Sequence, residues 1–201
     1  MTRTKQEVVT EFRCSEILEA ARKTFAVQGF AATTMDAIAE QAHIAKGTLY
    51  LYFPSKRDIY LAALRQGIRL LNDDTMRKVT AASGVLGKLR TFVATRVEYF
   101  EQNREFFLIY HSEIGNFLPH PGKQGGEVSE LYLEQAYLLE KILREAAESG
   151  EVRDLRPDAT AFAVCDLTRG VIVQRMLGWS KAALQDDIDH LITVLWRGIA
   201  A

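Results

Sequence analysis

Apolar residues recur at three- and four-residue spacing along almost the whole chain of 201 residues, and no stretch shows the apolar–polar alternation of a half-buried strand. This periodicity predicts an all-α fold of about nine helices. A chain of this length has room for one domain, or for one small and one medium domain. With 48% hydrophobic and 25% charged residues, its composition is that of a globular protein rather than of a disordered one.

The chain carries no recognisable signal for export or membrane insertion. No run approaches the roughly 18 uninterrupted apolar residues of a membrane-spanning helix, and residues 1–13 lack the hydrophobic segment that secretion needs. Cys14 and Cys165 fit neither a disulfide framework nor a zinc-binding spacing. We therefore expect a cytoplasmic protein with no membrane partner, two packed thiols and no cofactor.

Caps and breaks set the predicted helix boundaries. Gly29 suits the left-handed conformation that ends many helices, the Thr34 hydroxyl suits an N-cap, and Pro54 cannot continue a helix. We predict one helix that starts near Ser55 and others at about 5–28, 34–42, 45–52, 85–102, 104–115, 127–148, 157–178 and 181–198. Proline and glycine residues predict a mobile loop at 116–126.

Charge is balanced over the whole chain but uneven along it. The chain has 25 basic and 26 acidic residues, so its net charge of -1 produces no overall attraction to nucleic acid. Positions 43–57, by contrast, contain Lys46, Lys56 and Arg57 and no acidic residue. This basic segment coincides with two short helices joined by a tight turn, which is the arrangement that a helix-turn-helix presents to DNA.

The spacing in the second short helix indicates which side chains meet DNA. Ala45, Leu49 and Phe53 lie at i, i+4 and i+8 and are expected to face the core. The positions between them then turn outward, and we expect the flanking lysines to bind phosphates, Thr48 to reach a base edge and the tyrosines to offer hydroxyl groups. The predicted DNA-binding residues are Thr34, Lys46, Gly47, Thr48, Tyr50, Tyr52 and Lys56.

The segment His43-Ile-Ala-Lys-Gly-Thr-Leu-Tyr-Leu-Tyr-Phe53-Pro-Ser-Lys56 resembles the helix-turn-helix of the TetR family of transcriptional repressors. That family has a consensus near GxxKGTLYxxF, followed by a lysine at the start of the fourth helix. The resemblance covers about residues 13–64, and beyond them only the number and length of the helices match. Two positions depart from the family pattern: His43 replaces a glycine of the turn, and Leu51 occupies a position that is frequently polar or aromatic.

The resemblance implies a three-helix DNA-binding domain at 1–54 and a larger helical domain for ligand binding and dimerisation at 55–201. It also implies a homodimer that binds a palindromic double-stranded operator, represses transcription and is released by a small molecule. No catalytic activity is expected. An activator on the same scaffold, and an all-α enzyme or carrier with a vestigial helix-turn-helix, remain alternatives.

Aromatic residues crowd into positions 92–137, which suits either the core of a helical domain or an apolar pocket with a few polar groups. The second interpretation predicts a hydrophobic effector with one polar or anionic end. The two arginines that could serve, Arg96 and Arg169, have an alternative role, because each can pair with a nearby carboxylate such as Glu98 or Asp166. The predicted ligand-binding residues are Arg96, Phe106, Tyr110, His111, Tyr137 and Arg169.

The last two predicted helices carry wide apolar surfaces, of which one face can close the core and another can meet a partner. In the TetR family the corresponding helices form a two-fold interface of four helices. The predicted interface residues are Phe162, Gly170, Val173, Leu177, Leu191, Val194, Leu195 and Gly198. Metal sites are disfavoured, because the Glu40–His43 and Asp187–His190 pairs supply only part of a di-iron ligand set.

Overall fold

The computed structural model describes residues 4–117, 127–153 and 155–201, and it describes side chains up to 112 and again from 128. The predicted loop at 116–126 lies almost entirely outside this part of the chain. The described residues form nine helices and no strand, which confirms the all-α prediction. The helices are α1 (Lys5–Ala32), α2 (Met35–Gln41), α3 (Lys46–Tyr52), α4 (Lys56–Ala81), α5 (Gly84–Gln102), α6 (Arg104–Phe117), α7 (Glu127–Glu148), α8 (Pro157–Met176) and α9 (Leu184–Ile199).

Helix α1 runs past its predicted end. It begins with a capping box, in which the Thr4 hydroxyl accepts from the Glu7 amide and the Glu7 carboxylate accepts from the Thr4 amide. Gly29 does take a positive φ of 74°, as predicted, but the chain resumes a helical turn and continues to Ala32. The left-handed glycine therefore interrupts α1 instead of ending it.

The helix-turn-helix is formed by α2 and α3. The Thr34 hydroxyl accepts a hydrogen bond from the Ala37 amide at 3.1 Å, which confirms the predicted N-cap. His43 has a φ of 54° in the turn, a conformation that histidine tolerates better than most residues. Leu49 is fully buried, as predicted, but Ala45 is exposed because it caps α3 instead of lying on its buried face.

The chain divides into two compact units, which we call unit 1 and unit 2. Unit 1 contains Met1–Gly67 and Glu105–Gly115, and unit 2 contains Ile68–Arg104 and Asn116–Ala201. Helix α4 contributes residues to both. The boundary between domains that we predict at 54/55 stays a prediction.

The core of unit 1 is built from α1 to α4 and from part of α6. A methyl group on Gly67 of α4 would lie 2.2 Å from the Phe106 ring of α6, so only glycine allows this approach. Large buried side chains of the unit include Ile17, Phe25, Ile38, Leu49, Ile59, Leu64 and Phe106.

The core of unit 2 lies among α5, α7, α8 and α9. Its buried side chains include Phe92, Phe100, Leu139, Val164, Ile172 and Ile188. Helix α8 ends at Met176, before its predicted end, because Leu177 caps it and Gly178 has a φ of 72°. Within the described ranges, none of the helices is both long and apolar enough to span a bilayer.

Candidate nucleic-acid and effector sites

The exposed face of α3 presents the side chains that the sequence places outward. Gly47 is exposed, Tyr50 is 45% exposed and Leu51 is 85% exposed, whereas Leu49 between them is fully buried. Thr48 and Tyr52 are half-buried at the edges of this face. We call Lys46, Gly47, Thr48, Tyr50 and Tyr52 the recognition face. A hydroxyl group, aromatic rings and a cation on one short helix suit phosphate and base contacts.

An acidic residue faces the cation of the recognition face. The Lys46 ammonium lies 2.7 Å and 2.9 Å from the two carboxylate oxygens of Asp36, and both side chains are exposed. The hydrogen bond to Asp36 raises the pKa of Lys46 above its ordinary value. Spacing in the sequence does not indicate Asp36, because this residue belongs to α2 and reaches Lys46 only through the packing of α2 against α3.

The second predicted phosphate contact, Lys56, has three acceptors within its own unit. Its ammonium donates to the carbonyl oxygens of Phe30 at 2.6 Å, Ala31 at 3.1 Å and Thr33 at 2.7 Å, and it lies 4.6 Å from the centre of the Phe30 ring. These contacts join the start of α4 to the end of α1. Lys56 therefore positions the helices of unit 1, and its contact with DNA stays a prediction.

The two hydroxyl groups at helix starts are also engaged. Thr34 is exposed and caps α2, and the Ser55 hydroxyl accepts from the Asp58 amide at 3.2 Å at the start of α4. Both positions keep a helix N-terminus at the surface, where free amides attract phosphate. A contact between Thr34 and DNA stays a prediction.

The predicted ligand residues of unit 1 lie on α6. Phe106 and Tyr110 are buried, and their ring centroids are 5.8 Å apart. His111 is exposed and its ring stacks on Phe107 at a centroid distance of 5.2 Å. These rings contribute to the packing of unit 1, and no contact here assigns them to an effector.

Unit 2 contains an open groove of about 500 Å³ between the second half of α4, the start of α5 and α7. Tyr137, one of the predicted ligand residues, is 57% exposed and lines this groove. The lining is mostly apolar and charged groups surround it, which is the composition of many small-molecule sites. The groove is lined by Met76, Val79, Thr80, Lys88, Glu134, Tyr137, Leu138, Lys141, Ile142 and Glu145.

The two predicted ligand arginines differ in their surroundings. Arg169 on α8 forms an ion pair with Asp166 and lies 5.9 Å from the centre of the Tyr132 ring, so the alternative role that we considered for it is present. Arg96 on α5 is 4% exposed, and its Nε and Nη1 have no hydrogen-bond partner among the described residues. Arg96 is not among the residues that line the groove.

The thiol of Cys165 lies near both arginines. Burial raises its pKa, while the positive charges of Arg96 and Arg169 act in the opposite direction. The thiol is therefore largely protonated at neutral pH, in keeping with the packed side chain that we predicted. Among the described residues, no group of three or more His, Cys, Asp or Glu side chains could coordinate a metal ion.

The predicted interface residues fall into two groups. Phe162 and Leu177 on α8 and Val194 on α9 are 41%, 51% and 51% exposed. The positions 162, 166, 170, 173 and 177 are three or four residues apart, so they share one face of α8 and its end. We call the exposed face around Phe162, Gly170, Val173, Leu177, Val194 and Gly198 the α8–α9 face.

The other two predicted interface residues, Leu191 and Leu195, do not lie on this face. They are 5% and 7% exposed and belong to the core of the chain itself. Helix α9 is strongly amphipathic, and these leucines are on its inner side with Ile188 and Ile192. The prediction that they are exposed for a partner was wrong, because the sequence alone does not show which apolar face of α9 packs inward.

Two protein-family models match this chain, one near its N-terminus and one in its C-terminal part. Residues 17–63 match the model of bacterial regulatory proteins of the tetR family, and residues 83–173 match a tetracyclin repressor-like C-terminal domain. The HTH-type transcriptional repressor KstR2 of Mycolicibacterium smegmatis is 30% identical over 157 residues, which are 78% of this chain and 76% of the repressor.

Two solved structures share the fold at lower identity. FadR from Bacillus subtilis in complex with stearoyl-CoA is 18% identical with a TM-score of 0.76, and the match covers 90% of this chain and 96% of FadR. AibR in complex with isovaleryl coenzyme A and operator DNA is 19% identical with a TM-score of 0.73, over 90% and 97% of the two chains. At these identities the likeness establishes the fold alone.

Proposed function

This chain belongs to the TetR family of bacterial transcriptional regulators, and on that premise we propose that it is a repressor that binds a palindromic operator as a homodimer and is released by a small hydrophobic molecule. The DNA-binding domain is residues 1–54, and residues 55–201 bind the effector and form the dimer. The protein acts in the cytoplasm and catalyses no reaction.

The observation that carries the proposal is the recognition face. Leu49, on the opposite side of α3, is fully buried, which fixes the orientation of the helix and leaves Tyr50 exposed and Thr48 at the edge of the recognition face. Thr48 can donate, accept or offer its methyl group to thymine. The ammonium group of Lys46 can bind a phosphate either after its ion pair with Asp36 breaks or while it contacts both groups. Gly47 lets the backbone of α3 approach the DNA closely, because no side chain projects there.

The α8–α9 face supports the homodimer. Large apolar side chains are exposed there on two packed helices, and Gly170 and Gly198 have no heavy atom within 4 Å of an added methyl group, so a second copy can approach closely. A two-fold dimer places two copies of α3 one DNA turn apart or a multiple of it, roughly 34 to 36 Å, and so recognises a palindrome.

The effector is proposed from the composition of unit 2 and from the relatives. Solved structures of similar fold contain acyl-CoA molecules, and the aromatic and aliphatic core of unit 2 suits an apolar ligand. Helix α4 contributes residues to both units. We propose that the effector shifts the population toward a state in which the two copies of α3 no longer match the operator spacing.

The proposal is tested by binding of the purified protein to the promoter regions next to its gene. Fluorescence anisotropy should show sequence-specific binding that candidate hydrophobic ligands reverse. Protein with no preference among DNA fragments, but with turnover of a small substrate, would favour an all-α enzyme or carrier instead. Transcription from a matched promoter, measured with and without the gene, distinguishes a repressor from an activator.

A further inference from the structure

The guanidinium of Arg96, in the middle of α5, is the least explained charge of unit 2. The side chain is 4% exposed, and the Nε and Nη1 atoms have no hydrogen-bond partner among the residues that the structure describes. Buried polar groups are nearly always hydrogen-bonded, and a buried charge without a partner is costly. Among the described residues, the hydrogen bonds and ion pairs therefore do not account for an arginine at this position.

Aromatic contact only partly compensates this charge. The guanidinium carbon lies 5.4 Å from the centre of the Phe92 ring, one helical turn earlier on α5. A ring face attracts a cation, but it accepts none of the directed hydrogen bonds that a guanidinium offers in one plane. Phe92 stabilises the charge in part and supplies no acceptor for the Nε and Nη1 groups.

The carboxylates of unit 2 that form ion pairs are engaged with other side chains. Arg169 pairs with Asp166, and Arg175 pairs with Glu101 and Asp187. None of the ion pairs among the described residues includes Arg96. The paired carboxylates include Asp74, Glu101, Glu140, Asp158, Asp166, Asp187 and Asp189.

The neighbours of Arg96 on its own helix are largely apolar. Phe92 and Phe100, one turn to either side, are buried, and so are the neighbouring Val93 and Val97. The charges of Arg96 and Arg169 both act on the Cys165 thiol of α8, which places the two guanidinium groups near the same part of that helix. Asp166 pairs with Arg169, whereas Arg96 forms no ion pair with a side chain in the part of the chain that the structure describes.

We propose that Arg96 binds the carboxylate of an apolar acid, and that this acid is the effector. A planar guanidinium matches a carboxylate with two parallel hydrogen bonds, and such a pair is strong where water is excluded. The aromatic neighbours suit the apolar body of the same molecule. The inference rests on the proposed ligand-responsive regulator and names the chemical class of its ligand.

Calorimetry with simple acids tests the assignment. The probes are octanoate and 4-phenylbutyrate, with methyl octanoate as the uncharged match and octanoyl-CoA as the thioester. The variant is Arg96→Met, and the control is Arg90→Met, which removes an exposed arginine of α5 that is paired with Asp189. We expect at least one acid to bind the wild type and the control, at least about tenfold more tightly than it binds Arg96→Met. Methyl octanoate should bind all three proteins equally weakly.

Thermal unfolding separates ligand binding from a structural role for Arg96, because a structural role predicts a lower melting temperature for Arg96→Met. Replacing an unpaired buried charge by an apolar side chain of similar length should leave the melting temperature unchanged or raise it. The acid that binds should raise the melting temperature of the wild type and leave that of Arg96→Met unchanged.

Three results would overturn the proposal. In the first, neither acid binds the wild type. In the second, an acid binds Arg96→Met as tightly as it binds the wild type. In the third, the melting temperature of Arg96→Met is clearly below that of the wild type. Binding of octanoyl-CoA without binding of either acid falls under the first of these results. None of the three depends on DNA, so the failure of this inference is distinguishable from the failure of the proposed function, which would appear as wild-type protein that binds no promoter.

Discussion

The recognition face and the α8–α9 face both expose large side chains, but they expose different chemistry. On α3, Tyr50 and the adjacent Thr48 and Lys46 combine rings, hydroxyl groups and a cation. On α8 and α9, Phe162 and Val194 are exposed apolar side chains, each more than 40% exposed. A polar face suits hydrated and charged DNA, whereas an apolar face suits a second protein surface. Exposure alone therefore does not identify a partner, and the chemistry of the exposed atoms does.

The two units also differ in how a single cation joins their helices. Lys56 joins the end of α1 to the start of α4 through three backbone carbonyl oxygens. Near the end of α8, Arg175 donates to Asp187 of α9 at 2.6 Å and to Glu101 of α5 at 3.3 Å. In unit 1, a lysine side chain bound to backbone carbonyl oxygens joins two helices. In unit 2, ion pairs between side chains join α8 to α5 and α9.

The largest effect is expected from charge on the α8–α9 face. The double variant Phe162→Glu with Val194→Glu should yield folded monomers whose operator affinity is below detection, because buried unpaired carboxylates are costly and a monomer contacts only one half-site. Sedimentation velocity and operator titration measure both effects. Leu86→Glu, at a half-exposed leucine of α5, is the matched control and should remain a dimer. A dimeric double variant would place the interface elsewhere.

The next effect concerns the support of that face. Burial alone would raise the pKa of Asp187, but hydrogen bonds from Arg175 and Ser180 outweigh it and lower the pKa. A lowered pKa in the folded state contributes stability above the unfolded value of about 3.9, and that stability is lost as the pH falls through the folded value.

Asp187→Asn should therefore lower the free energy of unfolding by about 2 to 4 kcal/mol at pH 7, since it leaves the nearly buried Arg175 with a weaker partner. The difference from the wild type should shrink below about pH 4. Urea unfolding at several pH values measures it. A constant difference down to pH 2 would show that the charge of Asp187 contributes nothing.

Two variants sharpen the comparison at the supporting lysine. Lys56→Ala should destabilise the protein by about 1 to 3 kcal/mol, because it removes charge-assisted hydrogen bonds to three carbonyl oxygens. Lys56→Arg, the conservative match, should recover only part of this. Thermal unfolding that is unchanged in Lys56→Ala would contradict the supporting role. A reduced salt dependence of DNA binding would show in addition that Lys56 reaches a phosphate.

Within the recognition face, base contact and phosphate contact should separate. Thr48→Ala should change the preference among operator variants by about 1 to 3 kcal/mol if its hydroxyl or methyl group meets a base edge. Competition binding with single-base operator variants measures this preference. Equal losses on every operator variant would assign Thr48 to backbone positioning.

The smallest effect is expected at Lys46. Lys46→Ala should weaken binding to all DNA sequences alike and reduce the slope of log affinity against log salt by about 0.9, the value of one phosphate contact. Asp36→Asn is the matched variant: it frees Lys46 from its ion pair and should strengthen binding. An unchanged slope in Lys46→Ala would remove this residue from the interface.

The sequence predicts local features of the fold well, because each depends on a few adjacent residues. The Thr34 cap, the turn at His43 and the outward orientation of Tyr50 all follow from spacing and capping chemistry. Contacts between distant segments were not predictable in this way. The pairing of Lys46 with Asp36 and the acceptors of Lys56 depend on how helices pack, which periodicity does not specify.

The same limit explains the errors in unit 2. Leu191 and Leu195 match an apolar interface as well as they match a core, and only the packed structure shows that they lie inside. Arg96 and Arg169 were equivalent in the sequence, since each had a nearby carboxylate. The fold pairs Arg169 with Asp166 and leaves Arg96 buried without such a partner among the described residues.

The most direct test of the central claim is the binding of the protein to promoter DNA as a function of salt. Anisotropy titrations of the wild type and of the double variant Thr48→Ala with Tyr50→Ala should use one palindromic promoter fragment and one scrambled fragment. The account predicts that the wild type prefers the palindrome by at least about a thousandfold at physiological salt, and that the double variant loses this preference while it keeps weak, salt-dependent binding to both fragments. Equal affinity of the wild type for the two fragments would contradict the claim that α3 recognises an operator.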